Sequence, residues 1–295
     1  MDFNDTRKAY LDRAEASLKA AFADWSKDVA KPEDRVEEAS AYALLGGGKR
    51  LRAMLALAAG DALSLSPADS DRIAVAVETL HAYSLVHDDL PAMDDADTRR
   101  GQPSVHKQFD EVTAILAGDQ LLTYALGHLA PLPAATAALA RAGAGMVRGQ
   151  MLDLLSEREG IDLGLFELER LQAQKTGAII KFACEAPGLV AAKPDATRAL
   201  GTYGKHLGLA FQITDDILDA TADAETLGKP VGADAVAGKA TFVTLLGLEA
   251  ARARAAQEIS AAKAALSTLD QHKSDGSLAL TFLSSLADFV LTRRN

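Results

Sequence analysis

The 295-residue chain carries 31 lysines and arginines against 41 aspartates and glutamates, so its formal net charge is −10. An acidic chain without a basic run lacks the electrostatic footprint of a general nucleic-acid binder, and 48% hydrophobic with 24% charged residues excludes global disorder. A single cysteine, Cys184, excludes an intrachain disulfide and a thiolate zinc cage, and favours a reducing, cytoplasmic location.

Several positions predict where helices begin. Aromatic residues make up only 5% of the chain, and this bias favours packed helices over sheet. Ser66 followed by Pro67 matches an N-cap and the first helical position, and Pro133 and Pro194 are placed to open helices in the same way. No apolar run reaches the roughly 18 residues of a membrane span, and the polar N-terminus does not resemble a secretory signal.

Two segments, 71–90 and 201–219, space apolar residues at helical intervals. The spaced residues are Ile73, Val77 and Leu80 in the first segment and Leu207, Phe211 and Leu218 in the second. The alternation of half-buried strands is hard to find, so the sequence predicts a single all-α domain over residues 1–295, with roughly ten or more helices. Segment 223–240 is rich in glycine and acidic residues and predicts a long functional loop, or lid.

A glycine run, Gly46 to Gly48, leads into Lys49, Arg50 and Arg52 at the start of a predicted helix. Glycine permits close backbone approach, and a helix N-terminus offers amide donors to an anion. The segment is not a Walker A loop, because the required spacing and the following Ser or Thr are absent. It is therefore either an anion-binding turn or a flexible turn with surface cations.

The first acidic cluster places five aspartates within ten residues: Asp88, Asp89, Asp94, Asp95 and Asp97. Their mutual repulsion raises their pKa values unless positive charge lies among them, and Mg²⁺ takes one or two carboxylates plus water and substrate phosphate. Asp88 and Asp94 do not share a face of a straight helix, so we expect Pro91 to turn Asp94 back towards Asp88. The alternative is a solvated acidic loop.

Cations and a histidine flank this cluster. Arg99 and Arg100 follow it directly, and their guanidinium groups suit phosphate oxygens. His81 lies seven residues before Asp88 and shares its helical stripe, so it is either a phosphate donor or a structural histidine. Further along, each of Lys175, Lys229 and Lys239 is a candidate phosphate ligand or a surface cation.

The second acidic cluster is Asp215, Asp216 and Asp219. Asp215 and Asp219 are four residues apart, so a continuous helix aims both carboxylates the same way, and Gln212 lies on the same stripe. One DDxxD pattern is weak support for a metal site. Two clusters that each end an apolar helical stretch are harder to attribute to solubility.

Taken together, these motifs resemble the trans-isoprenyl diphosphate synthases, most closely the bacterial farnesyl diphosphate synthases. Residues 81–106, HAYSLVHDDLPAMDDADTRRGQPSVH, are similar to the first aspartate-rich region of that family, and residues 208–219, GLAFQITDDILD, to the second. GGGKRLR, GQMLD and KTGA stand in the family's order. The likeness extends from about residue 30 to the C-terminus.

The resemblance implies an isoprenoid-synthase-type all-α bundle around a deep central cavity, usually a homodimer. It implies head-to-tail condensation of isopentenyl diphosphate with dimethylallyl and then geranyl diphosphate, giving farnesyl diphosphate and pyrophosphate. The implied steps are ionisation, condensation and proton loss. The implied cofactor is Mg²⁺, with three ions in each active site when substrate is bound.

The resemblance also assigns roles to residues. Implied magnesium ligands are Asp88, Asp94 and Asp215, with Asp89, Asp216 and Asp219 as supporting or water-mediated partners. Implied ligands of the allylic diphosphate are Arg99, Lys175, Thr176, Gln212, Lys229 and Lys239. Implied ligands of the isopentenyl diphosphate are Lys49, Arg52, His81 and Arg100. Gln150 and Asp153 match a supporting polar pair, and the implied catalytic set is Asp88, Asp94, Arg99, Lys175, Asp215 and Lys229.

Product length is expected to depend on Tyr83 and the following Ser84. Tyr83 lies five residues before Asp88, more than one turn deeper along the same helix. The resemblance implies that a bulky aromatic at this position is typical of family members that stop at the C15 product. A small residue there is typical of members that make longer chains. A simple core aromatic is the alternative interpretation.

Three other functions remain open from the sequence. A geranylgeranyl diphosphate synthase uses the same chemistry with a longer product. A class I terpene cyclase or head-to-head condensing enzyme shares metal-assisted ionisation, but a cyclase has no second diphosphate for Lys49, Arg52, His81 and Arg100 to hold. A non-catalytic subunit of a heteromeric prenyltransferase would not need both complete aspartate clusters.

Overall fold

A computed structural model describes residues 2–25, 34–221, 240–269 and 277–293. Its helices are α1 (Phe3–Trp25), α2 (Arg35–Leu45), α3 (Leu51–Ala62), α4 (Pro67–Asp88), α5 (Val105–Gln108), α6 (Glu111–Leu129), α7 (Pro133–Glu159), α8 (Leu165–Gln172), α9 (Ala178–Val190), α10 (Pro194–Thr221), α11 (Phe242–Leu246), α12 (Leu248–Ser267) and α13 (Ser277–Thr292). The predicted lid, 223–240, lies outside the described residues except for Ala240, and so do Lys229 and Lys239.

The predicted all-α fold is confirmed, and so are the predicted helix starts. Ser66 caps α4, since its hydroxyl accepts a hydrogen bond from the Asp69 backbone N–H at 3.1 Å. Helices α7 and α10 begin at Pro133 and Pro194. No helix within the described ranges is long and apolar enough to cross a membrane.

One small element was missed by the sequence analysis. A two-stranded antiparallel hairpin pairs β1 (Thr98–Arg99) with β2 (Gln102–Pro103). Its turn residues, Arg100 and Gly101, have φ values of 55° and 76°, the left-handed conformation that tight hairpin turns require. The hairpin follows the first acidic cluster directly and positions the two adjacent arginines.

Helix α4 is the central element of the bundle. It packs against α1, α2, α3, α6, α7 and α9, and residues such as Ile73, Val77 and Leu80 are fully buried. Because every residue from Ile73 to Leu80 is buried, this part of α4 is an interior helix rather than a surface helix. Asp88, the last residue of α4, therefore lies at the end of a helix that passes through the interior of the bundle.

Helix α9 lies between the two helices that carry the aspartate clusters, because it packs against both α4 and α10. It is preceded by a π-helical turn, Ala173–Gly177, a wider turn that is frequent at functional sites. This turn packs against α7 and α10 as well. Lys175 and Thr176, which it carries, are thereby placed between the clusters.

Gly149 on α7 allows this arrangement, since a Cβ atom there would lie 2.3 Å from the backbone nitrogen of Lys175. We expect Gly149→Ala to lower the free energy of unfolding by about 1–3 kcal/mol, because helix and turn must separate. Gly145→Ala, one turn away on the same helix, is the matched control. Its Cβ would make an ordinary 3.6 Å contact, so a gain of up to about 1 kcal/mol is expected. Equal stability of the two variants in urea unfolding would contradict this packing.

Candidate active site

The first acidic cluster forms a tight turn at the end of α4. The Asp94 backbone N–H donates to the carbonyl oxygen of Asp88 at 3.0 Å, so the predicted reversal of the chain around Pro91 is confirmed. Arg158, at the end of α7, donates to the carbonyl oxygen of Ala92 at 2.8 Å and holds the outer side of the turn.

The adjacent residues Asp88 and Asp89 have opposite environments. Asp88 lies at the wall of an apolar cavity, where burial raises the pKa of its carboxyl to about 6 although Lys175 acts to lower it. Asp89 is 2% exposed and forms an ion pair with Arg99, whose Nε donates to Asp89 Oδ1 at 3.0 Å. Asp88 is thus available to a cation, whereas Asp89 is engaged in holding Arg99.

The second acidic cluster occupies the last turns of α10. Asp215 accepts a hydrogen bond from Arg293 Nη2 at 2.7 Å, and burial raises the pKa of its carboxyl against the effects of Arg293 and Lys49. Asp216 accepts the Phe242 backbone N–H at 2.7 Å, which attaches α10 to the start of α11. Asp219 follows Asp215 by one helical turn, as predicted.

Arg293 is a site residue that the sequence analysis missed. It follows the last helix, is 9% exposed, and places its guanidinium carbon 3.8 Å from the centroid of the Phe211 ring. The ion pair that it makes with Asp215 joins residues 78 positions apart. A basic residue after an apolar C-terminal helix was the only available signal, and it does not identify an acidic partner.

Hydrogen bonds link the π-helical turn to the second cluster, and the charge of Lys175 links it to the first. Thr176 Oγ1 donates to Gln212 Oε1 at 2.5 Å, and Gln212 Nε2 donates to Asp215 at 3.4 Å. Lys175 Nζ donates to Asp153 on α7 at 2.5 Å, which holds the ammonium group where it acts on Asp88. Asp153 is therefore placed to orient Lys175.

A cationic cavity of about 700 Å³ lies between the N-terminal part of α3 and the end of α13. The predicted residues Lys49, Arg52, His81 and Arg100 all line it, together with Arg99 and Arg293. Among the described residues, the buried Nε of Arg52 has no hydrogen-bond acceptor. Because an unpaired buried donor is costly, this wall has the character of an anion site.

His81 is a neutral hydrogen-bonding group in this wall. Burial lowers the pKa of its imidazole well below the ordinary value, and the nearby Arg52 and Arg100 guanidinium groups lower it further. A neutral imidazole can still donate one N–H to a phosphate oxygen. His81 is therefore able to donate a hydrogen bond to an anion in this cavity.

The glycine run ends at the cationic cavity, which Gly48 lines. Gly47 and Gly48 have φ values of 85° and 129°, and Arg100 donates to the Gly47 carbonyl oxygen. Arg50 has a structural role instead, since its side chain is 1% exposed and ion-pairs with Glu15 at 2.7 Å.

A second cavity, of about 470 Å³, is largely apolar. Asp88, Lys175 and Thr176 lie at its polar side, and Tyr83 and Ser84 line it deeper along α4. The side-chain amide of Gln150 is buried in its wall without a hydrogen-bond partner among the described residues. The two cavities adjoin, since Arg52, His81 and Leu85 line both.

The carboxylates do not form a ready-made metal cage. Within the described ranges, no group of three or more His, Cys, Asp or Glu residues is arranged to hold a metal ion by itself. The donors at each cluster are all carboxylate oxygens, the chemistry that suits Mg²⁺, an ion that keeps several waters and takes further ligands from substrate phosphates. The residues present therefore fit magnesium bound together with a diphosphate.

Comparison with known proteins identifies the family. Residues 33–274 match the family model described as polyprenyl synthetase. The chain is 45% identical over 273 residues to farnesyl diphosphate synthase of Escherichia coli (strain K12), covering 88% of this chain and 89% of that protein.

Two further relatives are named for products other than farnesyl diphosphate alone. Geranylgeranyl pyrophosphate synthase 9, chloroplastic, of Arabidopsis thaliana is 39% identical, over 98% of this chain and 82% of its own length. The crystal structure of an FPP/GFPP synthase from Zymomonas mobilis superposes with a TM-score of 0.84 at 35% identity, covering 98% of this chain and all of that chain.

The contrast between Asp88 and Asp89 generates a prediction for the metal-free protein. Because the folded state raises the Asp88 pKa from 3.8 to about 6, its ionisation destabilises the fold, and this penalty disappears as pH falls towards 4. We expect Asp88→Asn to raise the free energy of unfolding by about 1–2 kcal/mol at pH 8, with a smaller gain at pH 5.

Asp89→Asn is the matched comparison. It leaves the Arg99 guanidinium without its anionic partner, so we expect a loss of about 1–3 kcal/mol at both pH values. Urea unfolding in EDTA measures both variants. A loss of stability in Asp88→Asn at pH 8 would contradict the account of this carboxyl.

Proposed function

Because the chain belongs to the polyprenyl synthetase family, we propose that its two adjoining cavities hold two diphosphate substrates at once. The chain is a head-to-tail prenyltransferase that condenses isopentenyl diphosphate with an allylic diphosphate, giving farnesyl diphosphate and pyrophosphate. The observation that carries the site assignment is that an apolar cavity with Asp88 and Lys175 in its wall adjoins a cation-lined cavity at Arg52, His81 and Leu85.

The allylic diphosphate occupies the mouth of the apolar cavity, between the two aspartate clusters. Asp88, Asp94 and Asp215 would hold Mg²⁺, with Asp216 and Asp219 as supporting groups, and three ions is the number that the family resemblance implies. When bound, magnesium neutralises the allylic diphosphate and makes it a better leaving group. Lys175, held by Asp153 at 2.5 Å, adds a cation beside Asp88 for the same phosphate oxygens.

Asp89 and Asp216 support the site through other groups. Asp89 fixes Arg99 at the boundary of the cationic cavity, so its contribution to diphosphate binding passes through that guanidinium. Asp216 anchors α11 and so sets the end of the segment that returns from the predicted lid. Lys229 and Lys239, within that lid, remain proposed ligands on the family resemblance alone.

Isopentenyl diphosphate occupies the cationic cavity. Lys49, Arg52 and Arg100 supply charge, and neutral His81 supplies a hydrogen bond. The unpaired Arg52 Nε gives an incoming phosphate oxygen a donor that needs no reorganisation. A terpene cyclase has no use for this second anion site, so the cationic cavity favours condensation over cyclisation.

The reaction depends on the positions of the two substrates and on the exclusion of water from the cavity more than on a protein nucleophile. Cleavage of the allylic C–O bond leaves a carbocation, and the double bond of isopentenyl diphosphate supplies the electron pair for the new C–C bond. The released pyrophosphate takes the proton that is then lost. Met146, Leu154 and Ile179 line the apolar cavity and keep water from the cation, while the shared wall at His81 orients the two substrates.

Tyr83 limits the length of the product. It lies five residues before Asp88, about 7.5 Å deeper along α4 at 1.5 Å per residue, and lines the apolar cavity with Ser84. A growing chain that starts at the aspartates therefore reaches the phenol ring after a few isoprene units. This placement favours the C15 product over the C20 product.

We further propose one domain, a homodimer and a cytoplasmic location. The largest buried core includes residues from Tyr10 to Val290, which supports a single domain. Val112, Ile115 and Leu116 on α6 are 67%, 39% and 47% exposed, and such an apolar face suits a second copy of the chain. A monomer in analytical ultracentrifugation would contradict the dimer.

Incubation of the purified chain with Mg²⁺, isopentenyl diphosphate and each allylic primer tests the proposed function. We expect farnesyl diphosphate from both dimethylallyl and geranyl diphosphate, and no product when isopentenyl diphosphate is omitted. A cyclic hydrocarbon from one allylic substrate alone, or no product without a second protein, would contradict the proposal. Geranylgeranyl diphosphate as the main product would contradict the C15 assignment only.

Tyr83→Ala tests the floor of the cavity. Removal of the ring opens space for another isoprene unit, so we expect the C20 fraction to rise at least about tenfold relative to C15. Chain lengths are measured by mass spectrometry after removal of the diphosphates. An unchanged distribution would contradict the assignment of Tyr83 as the floor.

A further inference from the structure

We infer that His87 is a positioning residue for product length. Its imidazole fills a notch at Gly118 on α6 and holds the Tyr83 ring in place. This inference rests on the proposed function, because it concerns how the floor of the apolar cavity is kept rigid. Tyr83 alone is a phenol on one helix face, and a ring that can swing aside does not set a sharp length limit. The structure supplies the group that prevents this movement.

The first observation is the contact between the two rings. His87 lies one helical turn after Tyr83 on α4, and the ring centroids are 5.1 Å apart with planes at 75°. This edge-to-face geometry is the favourable one for aromatic pairs. Both side chains line the apolar cavity, so the imidazole is part of the wall and also supports the phenol.

The second observation is that the His87 imidazole is held by polar contacts with α6. His87 Nε2 lies 3.0 Å from the carbonyl oxygen of Ile115, to which it donates in the corresponding tautomer. The Asp119 carboxylate lies 4.0 Å from the same nitrogen. The ring therefore has a defined orientation on the backbone of α6 rather than free rotation in the cavity.

The third observation is the shape of the notch. Gly118 is buried, and a Cβ atom on it would lie 2.1 Å from His87 Nε2 and 2.3 Å from Cδ2. Any side chain at this position forces the imidazole away from α6. The absence of a Cβ at Gly118 allows the His87 ring to approach α6 this closely while it also contacts Tyr83.

Two opposite effects on product length follow. Loss of the His87 ring frees Tyr83 to move into the space that the imidazole occupied, which deepens the cavity. A methyl group at Gly118 pushes the imidazole off α6 towards the cavity, which narrows it. Gly118 lies on a different helix from both aspartate clusters, and the three atoms nearest to a Cβ at this position all belong to the His87 ring.

The experiment compares product distributions from geranyl and dimethylallyl diphosphate. We expect His87→Ala to raise the C20 to C15 ratio about fivefold, the factor that corresponds to an aromatic pair of this kind. We expect Gly118→Ala to raise the C10 to C15 ratio by a similar factor. Gly127→Ala, on the same helix with no atom within 4 Å of its Cβ, is the matched control and should leave the distribution unchanged.

Three further variants separate positioning from general damage. His87→Phe keeps a ring beside Tyr83 and should retain a C15 product. His87→Ala should add nothing in a Tyr83→Ala background, because it acts through that ring. In the double variant His87→Ala with Gly118→Ala, the excess of C10 should disappear. Thermal melting confirms that each variant is folded.

The outcomes distinguish this inference from the proposed function. Failure of the unsubstituted chain to form farnesyl diphosphate would overturn the proposed function and this inference with it. A normal C15 product together with an unchanged ratio in His87→Ala, or with additive effects of His87→Ala and Tyr83→Ala, would overturn only the role of His87.

Discussion

The structure depends on one electrostatic constraint, the gathering of carboxylates at the ends of two helices that face a common apolar interior. Like charges in a partly buried setting raise one another's pKa values and destabilise the fold unless cations or amide donors balance them. The chain supplies a partner for several of them: Arg99 for Asp89, Arg293 for Asp215, and the Phe242 amide for Asp216. Burial raises the pKa of Asp88 to about 6, although the nearby Lys175 ammonium acts to lower it. These partners allow the chain to fold with the two aspartate clusters in place and no metal bound. The negative charge that remains on the carboxylates is available to bind a metal ion together with a diphosphate.

The same constraint explains why the chain can bind two anionic substrates although its net charge is −10. Asp88 lies at the wall of the apolar cavity, whereas Lys49, Arg52 and Arg100 line the adjoining one. The second cavity is therefore the more strongly cationic of the two, and His81 lines both. A reaction that joins the hydrocarbon ends of two diphosphates needs this separation, since the phosphates must stay apart while the carbon atoms approach.

Local patterns were sufficient to predict much of this arrangement. Ser66 and Pro67 predicted the start of α4 because capping depends on neighbouring residues, and the i, i+4 spacing of Asp215 and Asp219 predicted their shared face. The turn after Pro91 was predicted for the same reason. The pairing of Arg293 with Asp215 could not be predicted, because it joins residues 78 positions apart and depends on how α13 packs. The contact between His87 and Gly118 could not be predicted either, since the need for a glycine at this position depends on which side chain of another helix packs against it.

The most direct test of the account is the binding of an unreactive geranyl thiolodiphosphate, measured calorimetrically with and without Mg²⁺. If the aspartate clusters bind the allylic diphosphate through magnesium, affinity should fall by at least about a hundredfold in EDTA, since the uncompensated carboxylates then repel the diphosphate. The loss on removing Mg²⁺ should be much smaller in a variant with Asp88 and Asp215 both changed to Asn. Equal affinity of the unsubstituted chain in Mg²⁺ and in EDTA would contradict the account.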